Sequence, residues 1–286
     1  VGNDLFDRVV AFQLRGLELI ADSVQPIDGG WAVLTPSLPK VWSLNHIRLA
    51  AGTGGGLAAG TGGGLAAGAG GGLAAGASGG RDAPTNYKAA LERAEEYLAA
   101  LPFRHLVADS DALGQALAPA LRREGFGVEC EVIMAATGLS QKQGRSLPVM
   151  EPDAEAMAAV ERRWFAEDGR VTADAVEHML EAGKREQRVW HERHFGIAGD
   201  EGNLAAITKL RSDGRTAQVE DVYTAPEARG RGFASTLVLH ALSLARQEGH
   251  DFVFIGADDC DWPKHLYARL GFEPIGRRWA FHKDLS

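Results

Sequence analysis

Cysteine is almost absent from this chain: Cys130 and Cys260 stand far apart and in no metal-like spacing. That excludes a disulfide framework and fits a reducing, cytoplasmic setting. Long apolar runs are missing too. None reaches the ~18 residues of a membrane-spanning helix, and Asp4, Asp7 and Arg8 break up the apolar start, so no secretory signal is expected. Nor is there a surplus of positive charge. A net charge of −8 argues against a nucleic-acid partner, which needs Lys and Arg massed on one face, and is compatible with a cationic substrate such as an amine.

What is present is ordinary globular composition, 45% hydrophobic and 24% charged, in 286 residues, enough for two modest domains. The exception is an eight-residue tandem repeat, Leu-Ala-Ala-Gly-Thr-Gly-Gly-Gly, that begins at Leu49, Leu57, Leu65 and Leu73 and runs to Gly80. One leucine per period cannot bury a continuous core, and glycine makes ordering entropically expensive, so residues 49–80 read as a flexible linker or loop expansion.

Beyond the repeat, helical spacing runs from Thr85 to Leu101, followed by a short strand at Leu106–Ala108, a helix over Ala112–Glu124 and a strand over Val128–Ala135. Pro119 inside that helix predicts a kink or a split. Near the C-terminus the order recurs. An amphipathic helix over Phe233–Glu248 is closed by Gly249, Phe252–Ile255 reads as a buried parallel strand, Asp261 caps a short helix with Pro263 early in it, and a strand follows over Ile275–Phe281. Val107-Ala108-Asp109 matches Gly256-Ala257-Asp258, and Gly125-Phe126 matches Gly271-Phe272. These matches suggest an internal duplication.

Chemistry concentrates where a strand over Ala217–Thr224 turns at Ala225-Pro226 into Arg229-Gly230-Arg231-Gly232-Phe233-Ala234 and then a helix. Unpaired N–H groups and partial positive charge at a helix start bind a pyrophosphate. Glycines at 230 and 232 remove the Cβ that would block its approach, and two arginines add charge-assisted hydrogen bonds. Glu220 and Asp221 are adjacent on the strand, so alternation predicts opposite faces, with one a general base and the other a surface or edge carboxylate.

Arg229 to Ala234 resembles the Arg/Gln-x-x-Gly-x-Gly/Ala signature of the GNAT superfamily of N-acetyltransferases. Leu266 to Phe272 is similar to its other signature, a tyrosine four residues before Gly-Phe. The resemblance covers Arg193–Asp284 well; the N-terminal half resembles a degenerate copy. It implies a mixed α/β fold with a central mixed sheet flanked by helices, as two tandem GNAT-like domains: 1–138 degenerate, 139–152 a linker, 153–286 catalytic. It implies acetyl-CoA as donor, held by Val222, Tyr223, Thr224, Arg229, Gly230, Arg231, Gly232, Phe233 and Ala234, in a cleft where the strand at Val219–Thr224 splays from Phe252–Ala257. It implies a small-molecule or peptide amine as acceptor, attacking directly, with Tyr267 as general acid and Glu220 the preferred base over Asp221.

No metal is expected. His191 and His194 read as the solvated end of a helix over Ala173–Glu192, and Cys260 has no base beside it. That helix and one over Ala154–Ala166 resemble those flanking the family's acceptor cleft, with Trp164, Phe165, Glu167 and Asp168 as candidate lining. Leu121 stands where the second half has Tyr267, so the first half is expected to be non-catalytic and to complete the acceptor cleft through Trp31, Trp42, Asn45 and His46 on its strands. Two other readings fit parts of the pattern. One is a non-catalytic acyl-CoA-binding regulatory module on the same fold. The other is a dinucleotide enzyme, whose glycine pattern Ser235 breaks.

Overall fold

The computed structural model describes residues 2–50, 87–137, 147–167, 169, 171–200 and 202–285. The repeat beyond residue 50, most of the expected linker (139–146) and Asp168 lie outside the described residues.

The strands are β1 (Ser23–Ile27), β2 (Gly30–Leu34), β3 (His46–Leu49), β4 (Phe103–Ala108), β5 (Gly127–Ala136), β6 (His191–Ala198), β7 (Leu204–Ser212), β8 (Thr216–Thr224), β9 (Phe252–Asp258) and β10 (Phe272–Asp284). They form one mixed ten-stranded sheet in the order β1-β2-β3-β4-β10-β5-β9-β8-β7-β6. Only β3–β4 and β8–β9 pair in parallel. The order is the same read from either end once each strand of the first half is matched to its counterpart in the second (β1 to β6, through β5 to β10). The last strands are exchanged: β5 sits between β10 and β9, and β10 between β4 and β5. The two halves therefore share one sheet.

Helices cover both faces. On one lie α2 (Tyr87–Tyr97), α3 (Asp111–Arg123), α6 (Phe233–Gln247) and α7 (Pro263–Arg269). The periodicity of α6 buries Leu237, Val238, Ala241 and Ala245 against β7 and β8, while α2 covers β3 and β4 and α3 lies mainly on β10. On the other lie α1 (Gly2–Ile20), α4 (Ala154–Glu167) and α5 (Ala173–Val189). There Phe12 stacks on Trp190 at 4.4 Å and meets the edge of Phe254 at 5.5 Å, tying α1 to the middle of the sheet. Gly276 lets α1 come close, because a Cβ there would fall 2.2 Å from the Phe6 ring.

Several expectations change. Pro119 does not split α3: it is exposed, as is Gln115, so the carbonyl it leaves without a donor faces water. The second acceptor-side helix ends at Val189, and His191 and His194 belong to β6. Asp261 does not cap α7 from the N-cap position; its carboxylate accepts from the Trp262 N–H at 2.7 Å, and Trp262 is the N-cap. Trp42 opens a 3-10 turn before β3, with Asn45 just beyond it.

Because β5 fills the space between β9 and β10 and β4 flanks β10 on its other side, residues 147–286 expressed alone would leave β9 with an unpaired edge and β10 with neither neighbour. We expect that fragment to be insoluble or to lack a cooperative urea transition, and co-expression with residues 1–146 to restore one; an autonomous fold would refute the exchange.

Candidate active site

β8 and β9 stay hydrogen-bonded from Thr216↔Phe252 to Val219↔Ile255, and there the ladder stops although both strands run on to Thr224 and Asp258. The parting coincides with a register shift between β7 and β8 opposite Thr208. Asp221 takes up the irregularity, with φ of 54°, the one positive φ at a non-glycine among the described residues.

On the α6 face the opening widens into a cleft of about 510 Å³. Eight of the nine expected cofactor residues line it, from Val222, Tyr223 and Thr224 through Arg229, Gly230, Gly232, Phe233 and Ala234. Gly230 (φ 77°) and Gly232 (φ 88°) are left-handed, so their role is conformational as well as spatial. Gly232 is also the N-cap of α6 and offers no side chain to the first N–H groups, which leaves them for an anion. Arg229 is exposed and its Nε donates to the Thr224 carbonyl at 3.1 Å. Arg231 turns away: it forms a bidentate pair with Asp200 at 2.7 and 2.9 Å and lies over the Phe233 ring.

Tyr267, from α7, is buried yet lines this cleft. Burial, reinforced by the charge of Glu220, raises its phenol pKa, so it stays protonated across the working pH range. Tyr223 donates its hydroxyl to Glu167 and stacks on Trp164 at 5.3 Å, which fixes the far wall. Phe165 stacks on Trp164 in turn. Trp262, at 57% exposure, stands free at the lip. The sequence pattern had no signal for Trp262 or Arg269, because α7 alone swings them to the cleft.

Behind the gap, on the face of α1 and α5, lies a second cavity of about 290 Å³. Glu220 lines it from the second half, and His46, Arg48 and His105 from the first. Glu220 accepts from the Gln218 amide and has no ion-pair partner among the described residues. Burial, then the nearby Asp221, Glu131 and Glu186 carboxylates, raises its pKa against the opposing pull of Arg211. Asp221 is not the surface carboxylate that alternation predicts. The irregularity breaks alternation, and its carboxylate meets buried Lys209 at 2.7 Å and approaches Arg211 at 3.8 Å. Burial opposes its charge, but Lys209 and Arg211 outweigh that and hold its pKa low.

His194 pairs with Glu192 at 2.8 Å, and Arg211 engages Glu192 and Glu186, so His194 belongs to this wall of ion pairs. Of the first-half candidates only His46 lines the cavity. Asn45 is committed to structure, its amide donating to Leu38 and Val41 carbonyls and its oxygen accepting from the Thr35 N–H. Trp42 stacks on His282 at 3.5 Å, and Trp31 pairs within the β1–β2–β3 edge. Cys260 is exposed, and burial, with Asp259, pushes the Cys130 thiol up to about 11, which disarms it as a nucleophile.

Residues 155–272 match the acetyltransferase (GNAT) family. Streptothricin acetyltransferase of Streptomyces lavendulae is 31% identical over 97 residues, 33% of this chain and 51% of that protein, so the match spans about half the length of the relative. A conserved protein of unknown function from Staphylococcus epidermidis ATCC 12228 shares the fold over 95% of this chain and 97% of its own, with a TM-score of 0.63 at 12% identity. A GCN5-related N-acetyltransferase from Kribbella flavida does so over 98% and 95%, with a TM-score of 0.57 at 19% identity. The stretch that matches the acetyltransferase (GNAT) family, residues 155–272, is the one that carries the cleft, the parted strands and Tyr267.

Proposed function

We propose that the chain is an acetyl-CoA-dependent N-acetyltransferase that moves the acetyl group to a primary amine by direct attack on the thioester. One observation carries this reading: the parted β8 and β9 leave a gap with a cleft on one face and a polar cavity on the other. The cleft suits the donor. The free N–H groups of α6, left-handed Gly230 and Gly232 and Arg229 would hold its diphosphate, while the unpaired edge of Val222–Thr224 takes the pantetheine and polarises the thioester carbonyl. Arg231 supports the loop from outside through Asp200.

The acceptor enters from the other face. Glu220, with no cation of its own, takes the ammonium and then its proton. Tyr267 gives a proton to the departing thiolate, and its high pKa keeps that proton available. Asp221 acts by position, fixing the irregular turn of β8 through Lys209. A buried carboxylate beside a phenol that stays protonated is the division of labour that general base and general acid require.

Residues 1–138 are then a non-catalytic GNAT-like half, 139–152 the connection and 153–286 the catalytic half. Three features support this. The strand order repeats; Leu121 stands in place of Tyr267; and β3 stays paired with β4 as far as Leu49↔Ala108, so among the described residues no second gap opens between them. Arg48 holds Asp109 across those strands, with Arg278 adding a bond to Asp109 at 3.0 Å. The two free thiols fit work in a reducing cytosol, and among the described residues no helix is long and apolar enough to cross a membrane.

Calorimetric titration of CoA should give one site per chain; two sites would overturn the closed first half, and none would overturn the proposal. Tyr267→Phe should lower kcat by roughly 10²-fold with little change in the KM for acetyl-CoA. An unchanged kcat would remove Tyr267 from proton transfer. Glu220 works deprotonated and its folded pKa is raised, so kcat/KM for the amine should fall as pH drops through a value above the ordinary carboxylate range. Glu220→Gln should lower the rate and abolish that limb; a limb that survives belongs to another group.

A further inference from the structure

The end of the acceptor cavity farthest from Glu220 is built by the first half. There His46 and His105 face each other edge to face, ring centroids 6.0 Å apart, at 2% and 8% exposure. Neither ring nitrogen of His46 has a hydrogen-bond partner, and Nδ1 of His105 has none. The Trp42 carbonyl, which accepts the Asn45 N–H at 2.9 Å, lies close enough to act on the His46 charge. Buried polar atoms are almost always hydrogen-bonded, so a histidine facing a cavity in this state offers its ring nitrogens to whatever polar group enters there.

The chemistry of that ligand follows from what surrounds it. Burial, then His105, Arg48 and Arg278, holds His46 well below its ordinary pKa, and burial with His282 pushes His105 down to about 3. Both rings are neutral, and a neutral imidazole offers one donor and one acceptor. The charges beside them are spoken for. Arg48 is bonded to Asp109, and Arg278 is shared among Asp109, Glu131 at 3.2 Å and Gln13. A carboxylate would find no free cation here, and a second ammonium no free anion. A hydroxyl both donates and accepts, as neutral imidazoles require, and Ser43 on the same wall adds one more such group.

We propose that His46 and His105 form a hydroxyl-binding subsite, and that the acceptor is an elongated amine carrying one or more hydroxyl groups remote from the reacting nitrogen. This rests on the acetyltransfer reading of the same cavity. The remoteness comes from the sheet: β3, which carries His46, is five positions from β8, which carries Glu220, with Arg278 on β10 acting on the charge of both ends. The first half thus supplies specificity to a reaction whose chemical groups belong to the second.

Thiol release from acetyl-CoA is measured with chain-matched 1-aminoalkanes, aminoalcohols, amino acids and diamines of increasing length. In the unaltered chain the aminoalcohols should exceed aminoalkanes in kcat/KM by about tenfold, one good hydrogen bond, with amino acids and diamines gaining nothing. His46→Phe should bring that ratio close to one, and His46→Asn, which keeps a donor and an acceptor, should retain part of it. CoA affinity by calorimetry checks that each variant is folded. An equal rate for aminoalcohols and aminoalkanes, a preference for amino acids or diamines, or a ratio untouched by His46→Phe would overturn the subsite. If CoA binds but no amine turns over, the acetyltransfer reading fails. Calorimetric titration of the same aminoalcohols into the CoA-loaded chain then decides the subsite by itself: binding that His46→Phe abolishes supports it, and no binding refutes it.

Discussion

The site depends on backbone hydrogen bonds that β8 and β9 do not make. Parallel strands normally continue their ladder, and opening one inside a sheet leaves polar groups that need another partner. Here β9 keeps its other edge paired with β5, and Asp221 absorbs the irregularity of β8 while a buried lysine holds its carboxylate. The unpaired edge of Val222–Thr224 is thereby presented to the cleft. Cleft, gap and the cavity behind it are parts of one local failure of pairing, and the counterpart strands β3 and β4 keep their pairing as far as Leu49↔Ala108.

Charge is distributed to match. The cavity wall carries buried cations and carboxylates in nearly complete pairs, from Lys209 with Asp221 and Glu161 to Arg211 with Glu186 and Glu192. Pairs of this kind contribute little net stability once desolvation is counted, but removing one partner leaves an uncompensated charge. Glu220 is the exception, a carboxylate in that wall with no ion-pair partner among the described residues. The exchange of β5 and β10 adds a second consequence: Arg278, which lines the cavity, and Glu131, which pairs with it, come from strands held by both halves.

Much of this was legible from residue order. The loop that lines the cleft shows itself because Arg229 to Ala234 combines glycines and arginines at a strand-to-helix turn, and Tyr267 because its distance to Gly271-Phe272 is short and local. The element order of both halves could be read from periodicity, and the repeated Ala-Asp and Gly-Phe segments pointed to duplication. Reading failed where the third dimension overrides local pattern. Alternation put Glu220 and Asp221 on opposite faces, and one irregular residue in β8 undid that. Trp42 and Asn45 looked like strand residues facing substrate, but one stacks on His282 and the other ties a turn together.

By itself, then, the sequence determined most of the elements, the glycine-arginine loop before α6 and the place of Tyr267 in the short helix before Gly271-Phe272, since each rests on residues within a few positions of one another. The tertiary structure alone decided that the last strands are exchanged, that Arg231 serves Asp200 rather than the cleft, that Glu220 stands without a cation and that His46 shares its cavity. Those facts depend on contacts between residues distant in sequence, such as His46 with His105, Asp109 with Arg278 and Gly256 against Glu131. No local propensity encodes them, because each is settled by which strands lie side by side and which face a side chain is left to share.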